Sequence, residues 1–316
     1  MSSAHDRSTP SSATKRYRGR FAPSPTGPLH FGSLVTALGS YLQARSQQGE
    51  WLVRMEDIDP PREQPGAADR ILLALEAYHL HWDGSVLYQS SRHEAYEAAL
   101  AQLAEDHHTF PCGCSRKAIA NRLAATTIDS GFIYPGTCRN GLPPGTVPRA
   151  TRVRVPNYRD SFIDTLQGRV ETDLENDIGD FVVQRADGLY AYHLAVVVDD
   201  AEQGITDIVR GTDLLSSTPP QRYLQDCLSF PHPQYSHLPI AVNSQGQKLS
   251  KQTFATAIDT QNPEPTLTKA LTFLGHPPAA ELEGADPGLL MTWAIEHWDI
   301  TKVPHVAAIS THETEN

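Results

Sequence analysis

Two segments of the chain carry groups suited to binding phosphate. In the first, residues 21–33, a loop rich in proline and glycine follows a short apolar strand and opens a helix. A helix start presents free backbone N–H groups and the positive end of the helix dipole, both of which favour an anion. His30 adds a side-chain donor, and Gly32 lets a flat ring approach the backbone closely. The second segment places Lys248 and Lys251 on a polar loop as mobile charges for phosphate oxygens.

Both segments resemble the signature sequences of class I aminoacyl-tRNA synthetases, known as HIGH and KMSKS. The matching runs are His-Phe-Gly-Ser from His30 and Lys-Leu-Ser-Lys-Gln from Lys248. The run at 20–30 and the run Arg-Met-Glu-Asp-Ile-Asp at 54–59 are similar to the glutamate branch of that family in particular. The resemblance extends over about residues 18–255. The alternative for the first segment is an ordinary proline-rich turn that caps a helix, which would make the second segment a coincidence.

Alternating strands and helices must position these segments. A strand at 18–22 precedes the first segment, apolar residues within 34–45 then follow helical spacing, and a second strand occupies 51–55. A strand–helix–strand series predicts a parallel sheet with right-handed crossovers, and ligands bind beyond the carboxyl ends of such strands. The loop at 23–33 and the acidic turn at 56–59 are therefore expected to face one another across one crevice.

The remaining elements also predict the α/β fold class, and the resemblance implies a class I synthetase Rossmann-like parallel sheet with an inserted zinc-containing subdomain and a short helical C-terminal segment. Further strands are predicted at 181–184, at the apolar run 190–199 and at 205–211, and further helices at 93–104, 219–228, 267–274 and 289–298. The predicted units are a disordered tail at 1–16, the two halves of the catalytic domain at 17–106 and 176–240, an inserted acceptor-like subdomain at 107–175, and the KMSKS-like loop with the helical segment at 241–316. A longer helical domain that grips the anticodon is not expected.

The amino-acid composition limits the class of protein that this chain can be. The chain has 316 residues, of which 39% are apolar and 20% charged, and its net charge is −11. No apolar stretch reaches the length of a membrane span and the N-terminus has no secretory signal, so a cytoplasmic protein without membrane attachment is expected. The negative charge argues mildly against nucleic acid as the main partner. A local basic face is still possible, because the sequence has arginines at 149, 152, 154 and 159. The alternative is that these arginines lie on an ordinary solvated loop.

A group of cysteines predicts a structural zinc site with one ion per chain. Cysteines 112 and 114 flank a glycine that permits a tight knuckle, Cys138 is a candidate third ligand, and thiolates bind zinc well. For the fourth ligand the resemblance favours Tyr134, whereas His107 and His108 are chemically more usual. The predicted ligands are Cys112, Cys114, Tyr134 and Cys138. The alternative is three reduced thiols without a metal.

An acidic amino acid needs a cation for its side-chain carboxylate and an anion for its ammonium group. Arg20 can grip a carboxylate bidentately, Arg210 can reach the same crevice from a strand end, and Glu56 offers the anion. The alternatives are a surface ion pair between Glu56 and Arg54, and a solvated strand end for Arg210. The resemblance implies a glutamate site formed by Arg20, Phe21, Ala22, Pro23, Ser24, Glu56, Tyr192 and Arg210.

The resemblance also implies a reaction, in-line attack of the α-carboxylate of glutamate on the α-phosphorus of ATP to give glutamyl-adenylate and pyrophosphate. Such a step depends on positioning and charge stabilisation. The catalytic residues implied are His30, Lys248 and Lys251, with Mg²⁺ carried in on ATP. The implied ATP contacts are Pro23, Gly27, His30, Gly32, Ser33 and Lys251. Four histidines without a partner pattern are treated as ordinary, namely His79, His81, His93 and His193.

The acceptor of the activated glutamate follows from the resemblance alone. Within the glutamate branch, the KLSKQ sequence and the short Cys-x-Cys insertion are similar to truncated members without an anticodon-binding domain. These members activate glutamate without tRNA and transfer it to the queuosine base of tRNA(Asp), which makes ATP, L-glutamate and queuosine-containing tRNA(Asp) the expected partners of a monomer. The alternatives are a compact synthetase that charges tRNA(Glu) and a non-catalytic glutamate-binding sensor.

Overall fold

The computed structural model describes residues 16–124, 133–249 and 256–311. The strands in these ranges are β1 Arg18–Phe21, β2 Glu50–Met55, β3 Leu87–Tyr88, β4 Thr109–Cys112, β5 Ala150–Val153, β6 Arg159–Asp164, β7 Gly168–Asp173, β8 Val182–Gln184, β9 Asp207–Gly211, β10 Gln234–Leu238, β11 Ile240–Val242 and β12 Ala308–Ser310. The α-helices are α1 Phe31–Ser46, α2 Ala67–Ala77, α3 His93–Glu105, α4 Arg116–Ala124, α5 Leu174–Asp177, α6 Tyr192–Glu202, α7 Thr218–Cys227, α8 Glu264–Phe273 and α9 Pro287–His297.

Parallel strands meet at the centre of the fold, as predicted. β1, β2 and β3 form one parallel sheet, and β9 pairs in parallel with β10. Thr206, just before β9, donates its backbone N–H to the carbonyl of Arg18 in β1 at 2.9 Å, so the two sheets are neighbours. The chain thus leaves β1 towards β2 on one side and returns to β9 on the other. Open α/β sheets bind ligands at such a reversal, beyond the carboxyl ends of the strands.

Helix α1 packs tightly against the sheet near this reversal. Its residues Leu34, Leu38 and Leu42 recur at helical spacing and are fully buried. Gly39 allows a close approach to the end of β10, because a Cβ at this position would lie only 2.6 Å from Leu238 Cδ1. This contact packs the middle of α1 against the carboxyl end of β10.

Antiparallel strands occupy much of the segment predicted as an insertion. β4, β5 and β8 form one antiparallel sheet, while β6 and β7 form a hairpin. β6 also pairs in parallel with β10, where Asp164 lies opposite Tyr235. The range 107–175 therefore contributes a strand to the sheet of the second half. Conversely, the sequence predicts that β8 belongs to the second half, whereas β8 pairs with β5 of the inserted segment.

The prediction of a strand at 190–199 is wrong. These residues lead into and form most of α6, in which every side chain from Leu194 to Asp200 is buried. A helix buried on all sides is as apolar as a strand buried on both faces, so a short apolar run does not distinguish the two. Because α6 is eleven residues long, its length fits a helix better than a strand.

The chain after the second segment contains α8 and α9, which confirms the helices predicted near 267–274 and 289–298. Leu267, Leu271 and Leu290 of these helices are buried in the same core as α1. Across the described ranges, the structure holds no helix that combines the length and the apolarity needed to cross a membrane.

Candidate active site

A cavity of about 770 Å³ opens beyond the carboxyl ends of β1, β2 and β9. This volume is typical of small-molecule sites. Predicted site residues from distant parts of the chain line it together, namely Arg20, Phe21, Ala22, Pro23, Ser24, His30, Gly32, Ser33, Glu56, Tyr192, Arg210 and Lys248. Gly27 belongs to the same loop, between the lining residues Thr26 and Leu29. Lys251 lies outside the described residues.

His30 is the N-cap of α1. Its Nδ1 accepts a hydrogen bond from the backbone N–H of Ser33 at 3.3 Å, and its Nε2 lies 3.0 Å from the Ser33 hydroxyl. Because Nδ1 accepts, a neutral ring carries its proton on Nε2, which donates it to the Ser33 hydroxyl. The first turn of α1 thus combines an imidazole donor with backbone N–H groups, as an anion site requires.

The second segment lies directly against the first. A Cβ at Gly32 would be 3.3 Å from the backbone oxygen of Leu249, which leaves no room for a larger residue without a shift. Ile258 donates its backbone N–H to the carbonyl of Leu29 at 3.0 Å, so the chain returns along the first loop after the second segment. Lys248 forms an ion pair with Asp213 at the cavity rim. These contacts bring the two segments predicted to bind phosphate to one cavity.

The acidic turn also meets the first loop, as predicted. The backbone N–H of Glu56 donates to the carbonyl of Pro23 at 2.9 Å. Both residues line the cavity. The carboxyl end of β2 therefore forms the wall opposite the first turn of α1.

A cluster of buried charges supports this wall. Arg54 is fully buried, its Nη1 donates to Asp200 Oδ1 at 2.8 Å, and its Nη2 lies 3.6 Å from Glu56 Oε1. Arg20 binds the same Asp200 carboxylate through Nε at 3.1 Å and Nη2 at 3.4 Å, a pair that does not use Nη1. The alternative of a surface ion pair between Arg54 and Glu56 is wrong, because the pair belongs to a buried network.

The charge of Glu56 changes near neutral pH. Burial raises the pKa of Glu56 to about 7, even though Arg54 and Arg20 act in the opposite direction. The carboxyl lines the cavity, so its ionised form is available to a positively charged ligand. A ligand ammonium group would stabilise that ionised form and lower this pKa.

Arg210 is buried at the end of β9, which excludes the alternative of a solvated strand end. Its Nε donates to His237 Nε2 at 3.1 Å and its Nη2 donates to Thr218 Oγ1 at 2.8 Å. Its Nη1 is buried and has no hydrogen-bond partner among the described residues. Tyr192, the first residue of α6, lines the cavity with Arg210, and burial raises its pKa. The cavity therefore contains a cationic donor that an anionic ligand could satisfy.

Several residues of this site were missed by sequence reasoning. Asp200 follows an apolar run, and an acidic residue in such a run signals a buried partner. Asp213 has a weaker signal, its position just after the strand that carries Arg210. His237 has none, because its position opposite Arg210 depends on the pairing of β9 with β10. His193, treated as ordinary, packs beside Tyr192, and burial lowers its pKa to about 4.

The four candidate metal ligands come together in one cluster, formed by Cys112, Cys114, Tyr134 and Cys138. The three sulfur atoms lie within 4.8 Å of one another. The Tyr134 hydroxyl lies 3.4 Å from Cys112 Sγ and 3.7 Å from Cys114 Sγ. The three clustered thiols could hold a metal ion, and sulfur ligands of this kind suit zinc. Neither His107 nor His108 joins this cluster in the part of the chain that the structure describes.

The surroundings of the cluster favour the thiolate at Cys112 but not at Cys114, where burial raises the pKa of the thiol. Burial alone would raise the pKa of the Cys112 thiol, but the hydrogen bond with Tyr134 and the nearby Arg152 hold it below its usual value. The Arg152 guanidinium lies 4.0 Å from the centre of the Tyr134 ring, and Arg154 stacks on Phe110. Arg152 and Arg154, two of the four arginines predicted either to form a basic face or to lie on a solvated loop, thus pack on aromatic rings beside the cysteine cluster. Position 113 requires a glycine for steric reasons, because a Cβ there would lie 2.2 Å from Thr146 Cγ2.

Comparison with known proteins gives concordant matches. Residues 16–283 match the family described as class I tRNA synthetases (E and Q), catalytic domain. A glutamyl-Q tRNA(Asp) synthetase of Dechloromonas aromatica is 56% identical over 93% of this chain and 97% of its own length. The protein of the same name from Chromobacterium violaceum is 56% identical over 91% of this chain and 95% of its own length.

Solved structures show the same likeness at lower identity. A glutamate-tRNA synthetase from Elizabethkingia anophelis superposes with a TM-score of 0.79 at 25% identity, covering 95% of this chain and 68% of that one. A glutamate tRNA ligase from Elizabethkingia meningosepticum, solved in complex with its amino acid, gives a TM-score of 0.77 at 26% identity and covers 93% of this chain and 67% of that one.

Proposed function

The chain belongs to the family of class I tRNA synthetases for glutamate and glutamine, and we propose that it activates L-glutamate with ATP and transfers it to the queuosine base of tRNA(Asp). The observation that carries the proposal is the shared cavity. His30 and Lys248 of the two signature segments line the same space as Glu56 and Arg210, which suit the two charged ends of glutamate. The reaction would occur in the cytoplasm, where ATP, glutamate and tRNA are present together.

Glutamate binding is assigned to the end of the cavity beside the buried charges. Arg210 offers the unpaired Nη1, and Arg20 offers the nitrogen that its pair with Asp200 does not use, so both suit the side-chain carboxylate. Glu56 receives the ammonium group. Loop residues from the end of β1 and Tyr192 complete the pocket, the loop residues being Phe21, Ala22, Pro23 and Ser24.

ATP binding is assigned to the first turn of α1. The implied contacts are Pro23, Gly27, His30, Gly32, Ser33 and Lys251. The helix start supplies backbone N–H groups for the phosphates, and Gly32 allows the second segment to lie close above them. In the proposed step, a carboxylate oxygen of glutamate forms a bond to the α-phosphorus while the bond to pyrophosphate breaks. His30, Lys248 and Lys251 stabilise the charge that develops on the phosphate oxygens. Mg²⁺ bound with ATP would neutralise part of the triphosphate charge.

The acceptor is inferred from the curated relatives. Two proteins that are 56% identical to this chain over at least 95% of their own lengths carry the name glutamyl-Q tRNA(Asp) synthetase. The structures of glutamate-tRNA synthetases are matched at only 25% and 26% identity. The proposal therefore favours tRNA(Asp) with queuosine over the alternative acceptor tRNA(Glu), and a catalytic role over a sensor.

Zinc is assigned to the cluster of three cysteines and Tyr134 as a structural ion. The bound ion would hold β4 and the loop of Cys138 together in a unit with a small apolar core. Arg152, beside Cys112 and Tyr134, would offset the negative charge of three thiolates around a divalent ion.

The exchange of labelled pyrophosphate into ATP tests the proposal. We expect exchange that depends on glutamate and takes place without tRNA. Exchange only in the presence of tRNA(Glu) would support the compact synthetase, and glutamate binding without any exchange would support the sensor. Glutamine in place of glutamate serves as the control substrate, because its carboxamide brings no charge to Arg210.

A further inference from the structure

Arg210 stands at the end of a buried chain of hydrogen bonds that begins at Asp164. The carboxylate oxygen Oδ2 of Asp164 lies 2.6 Å from His237 Nδ1, and His237 Nε2 lies 3.1 Å from Arg210 Nε. These residues are 1%, 0% and 3% exposed, in that order. They lie on β6, β10 and β9, which are adjacent in one sheet, and His237 is the register partner of Arg210. The sheet itself therefore fixes the spacing of carboxylate, ring and guanidinium.

The hydrogen-bond partners of His237 determine which tautomer its ring adopts. Arg210 Nε can only donate, so His237 Nε2 must accept and the ring proton belongs on Nδ1, where it is donated to Asp164. The other oxygen of Asp164 accepts backbone N–H bonds from Leu166, Gln167 and His237 at 3.0, 2.9 and 3.1 Å. Four donors thus satisfy one buried carboxylate, which leaves it no freedom to turn.

Thr218 holds the other edge of the guanidinium. Arg210 Nη2 donates to its hydroxyl at 2.8 Å, and that hydroxyl lies 3.3 Å from His237 Nε2. Both direct partners of Arg210 are therefore uncharged, whereas Arg20 and Arg54 are paired with the carboxylate of Asp200. Arg210 lines the cavity with its charge uncompensated by these contacts and with Nη1 unpartnered within the described residues.

We propose that Asp164 and His237 are positioning residues that orient Arg210 so that its free edge selects a side-chain carboxylate over a carboxamide. The inference rests on the function proposed above and adds the device that separates glutamate from glutamine. A neutral imidazole fixes the guanidinium without neutralising it. A carboxylate in direct contact would fix the guanidinium but would also neutralise its charge. It would therefore compete with the carboxylate of the substrate.

The surroundings of the ring favour its neutral form. The groups that face it are Asp164, Arg210, Thr218, Tyr235 and, through its charge, Arg20. Protonation of Nε2 would set two N–H donors against each other. Burial and the charge of Arg210 accordingly lower the pKa of His237. The arrangement is therefore stable through neutral pH.

The substitution Asp164→Asn tests the inference. Three backbone donors keep the amide oxygen at the position of Oδ1, so the amide NH₂ faces His237 Nδ1. Nδ1 must then accept, the ring proton moves to Nε2, and it opposes Arg210 Nε. Asp160→Asn is the matched control, because Asp160 is a buried carboxylate on the same strand that binds Arg222 at 2.9 Å. Asp160 does not line the cavity.

Pyrophosphate exchange is measured for the full chain and both variants with glutamate, glutamine and ATP varied in turn. For Asp164→Asn we expect about a tenfold rise in KM for glutamate, a KM for ATP within about twofold of wild type, and a smaller preference for glutamate over glutamine. Asp160→Asn should keep both KM values and the preference.

Two results would overturn the inference, namely an unchanged KM for glutamate in Asp164→Asn, or equal rises in both KM values in both variants. If thermal melting shows that Asp164→Asn does not fold, His237→Gln is measured against the same predictions. Absence of exchange in the wild-type chain would instead refute the proposed function, so the two failures are distinguishable.

Discussion

Gly32 lies against the backbone carbonyl of Leu249, so closely that a Cβ at position 32 would stand 3.3 Å from that oxygen. The same Cβ would also lie 3.3 Å from Cε1 of His30. Two segments that are far apart in sequence thus share one contact at the start of α1. This contact defines the geometry in which a triphosphate could be held from both sides.

Substitution of Gly32 by alanine tests this contact. The added Cβ displaces either the Leu249 carbonyl or the His30 ring, so we expect pyrophosphate exchange to fall by about tenfold or more and KM for ATP to rise. Glutamate binding, measured by calorimetry, should change little.

Gly288→Ala is the matched control. Gly288 is also the second residue of its helix, and a Cβ there would meet the N-cap Asp286 at 3.0 Å. This variant should lose some stability and keep its exchange rate. Equal losses of exchange in the two variants would show that the crowding at Gly32 has no specific role.

The pH dependence of glutamate use is predicted to follow Glu56. Its pKa of about 7 means that the carboxyl loses its charge, and its attraction for ammonium, as the pH falls through that value. We expect kcat/KM for glutamate to decrease below about pH 7, since kcat/KM reports the ionisation of the free enzyme. In Glu56→Gln, kcat/KM should be low and independent of pH in this range. Glu76→Gln, at an exposed carboxyl of α2, should keep the wild-type profile.

The effect of Glu56 on protein stability should depend on pH in the opposite direction to its effect on glutamate use. Because the folded-state pKa is raised from 4.5 to about 7, the native state binds more protons than the unfolded state between these values. The contribution of Glu56 to the free energy of unfolding therefore falls as the pH rises through this window, by on the order of 3 kcal/mol. Glu56→Gln should melt at a higher temperature than wild type at pH 8. A lower melting temperature would contradict the assigned burial cost.

Zinc content should depend on the cysteine cluster. We expect about one zinc ion per purified chain, in keeping with a closed structural site, and its loss in Cys138→Ser together with a lower melting temperature. Cys227→Ser is the control, because Cys227 is a buried cysteine that lies in α7 outside the cluster. Elemental analysis of both variants measures the difference. Retention of zinc by Cys138→Ser would remove this residue from the ligand set.

Lys251 lies outside the described residues, and its proposed role comes from its place in the second signature segment. Lys251→Ala should abolish pyrophosphate exchange while glutamate binding stays largely intact, because the lysine is assigned to phosphate oxygens alone. Lys302→Ala, at an exposed lysine near the C-terminal strand, should exchange at the wild-type rate. Normal exchange in Lys251→Ala would exclude this lysine from the mechanism.

Local sequence was sufficient to identify the single loops that line the cavity and the loop that carries the clustered cysteines. The loop after β1, the acidic turn after β2 and the Cys-Gly-Cys knuckle each combine residues whose chemistry is visible in a few neighbouring positions. The parallel arrangement then predicted that Pro23 and Glu56 would face one another, and their backbones are hydrogen-bonded. Helix spacing likewise identified α1, α8 and α9.

Features that depend on the packing of separate elements were not predictable in the same way. The apolar character of residues 190–199 led to the prediction of a strand, and from a strand the contacts of Asp200 with Arg20 and Arg54 could not be predicted. His237 gained its partner only through the pairing of β9 with β10. The roles of such residues follow from three-dimensional neighbours, which single-sequence patterns do not contain.

The most direct test of the proposed function is the transfer of labelled glutamate to purified tRNA(Asp) with and without queuosine, with tRNA(Glu) as a third substrate. The function proposed here predicts label on the queuosine-containing tRNA(Asp) alone, after an activation step that needs no tRNA. Label on tRNA(Glu), or equal label on tRNA(Asp) lacking queuosine, would contradict it.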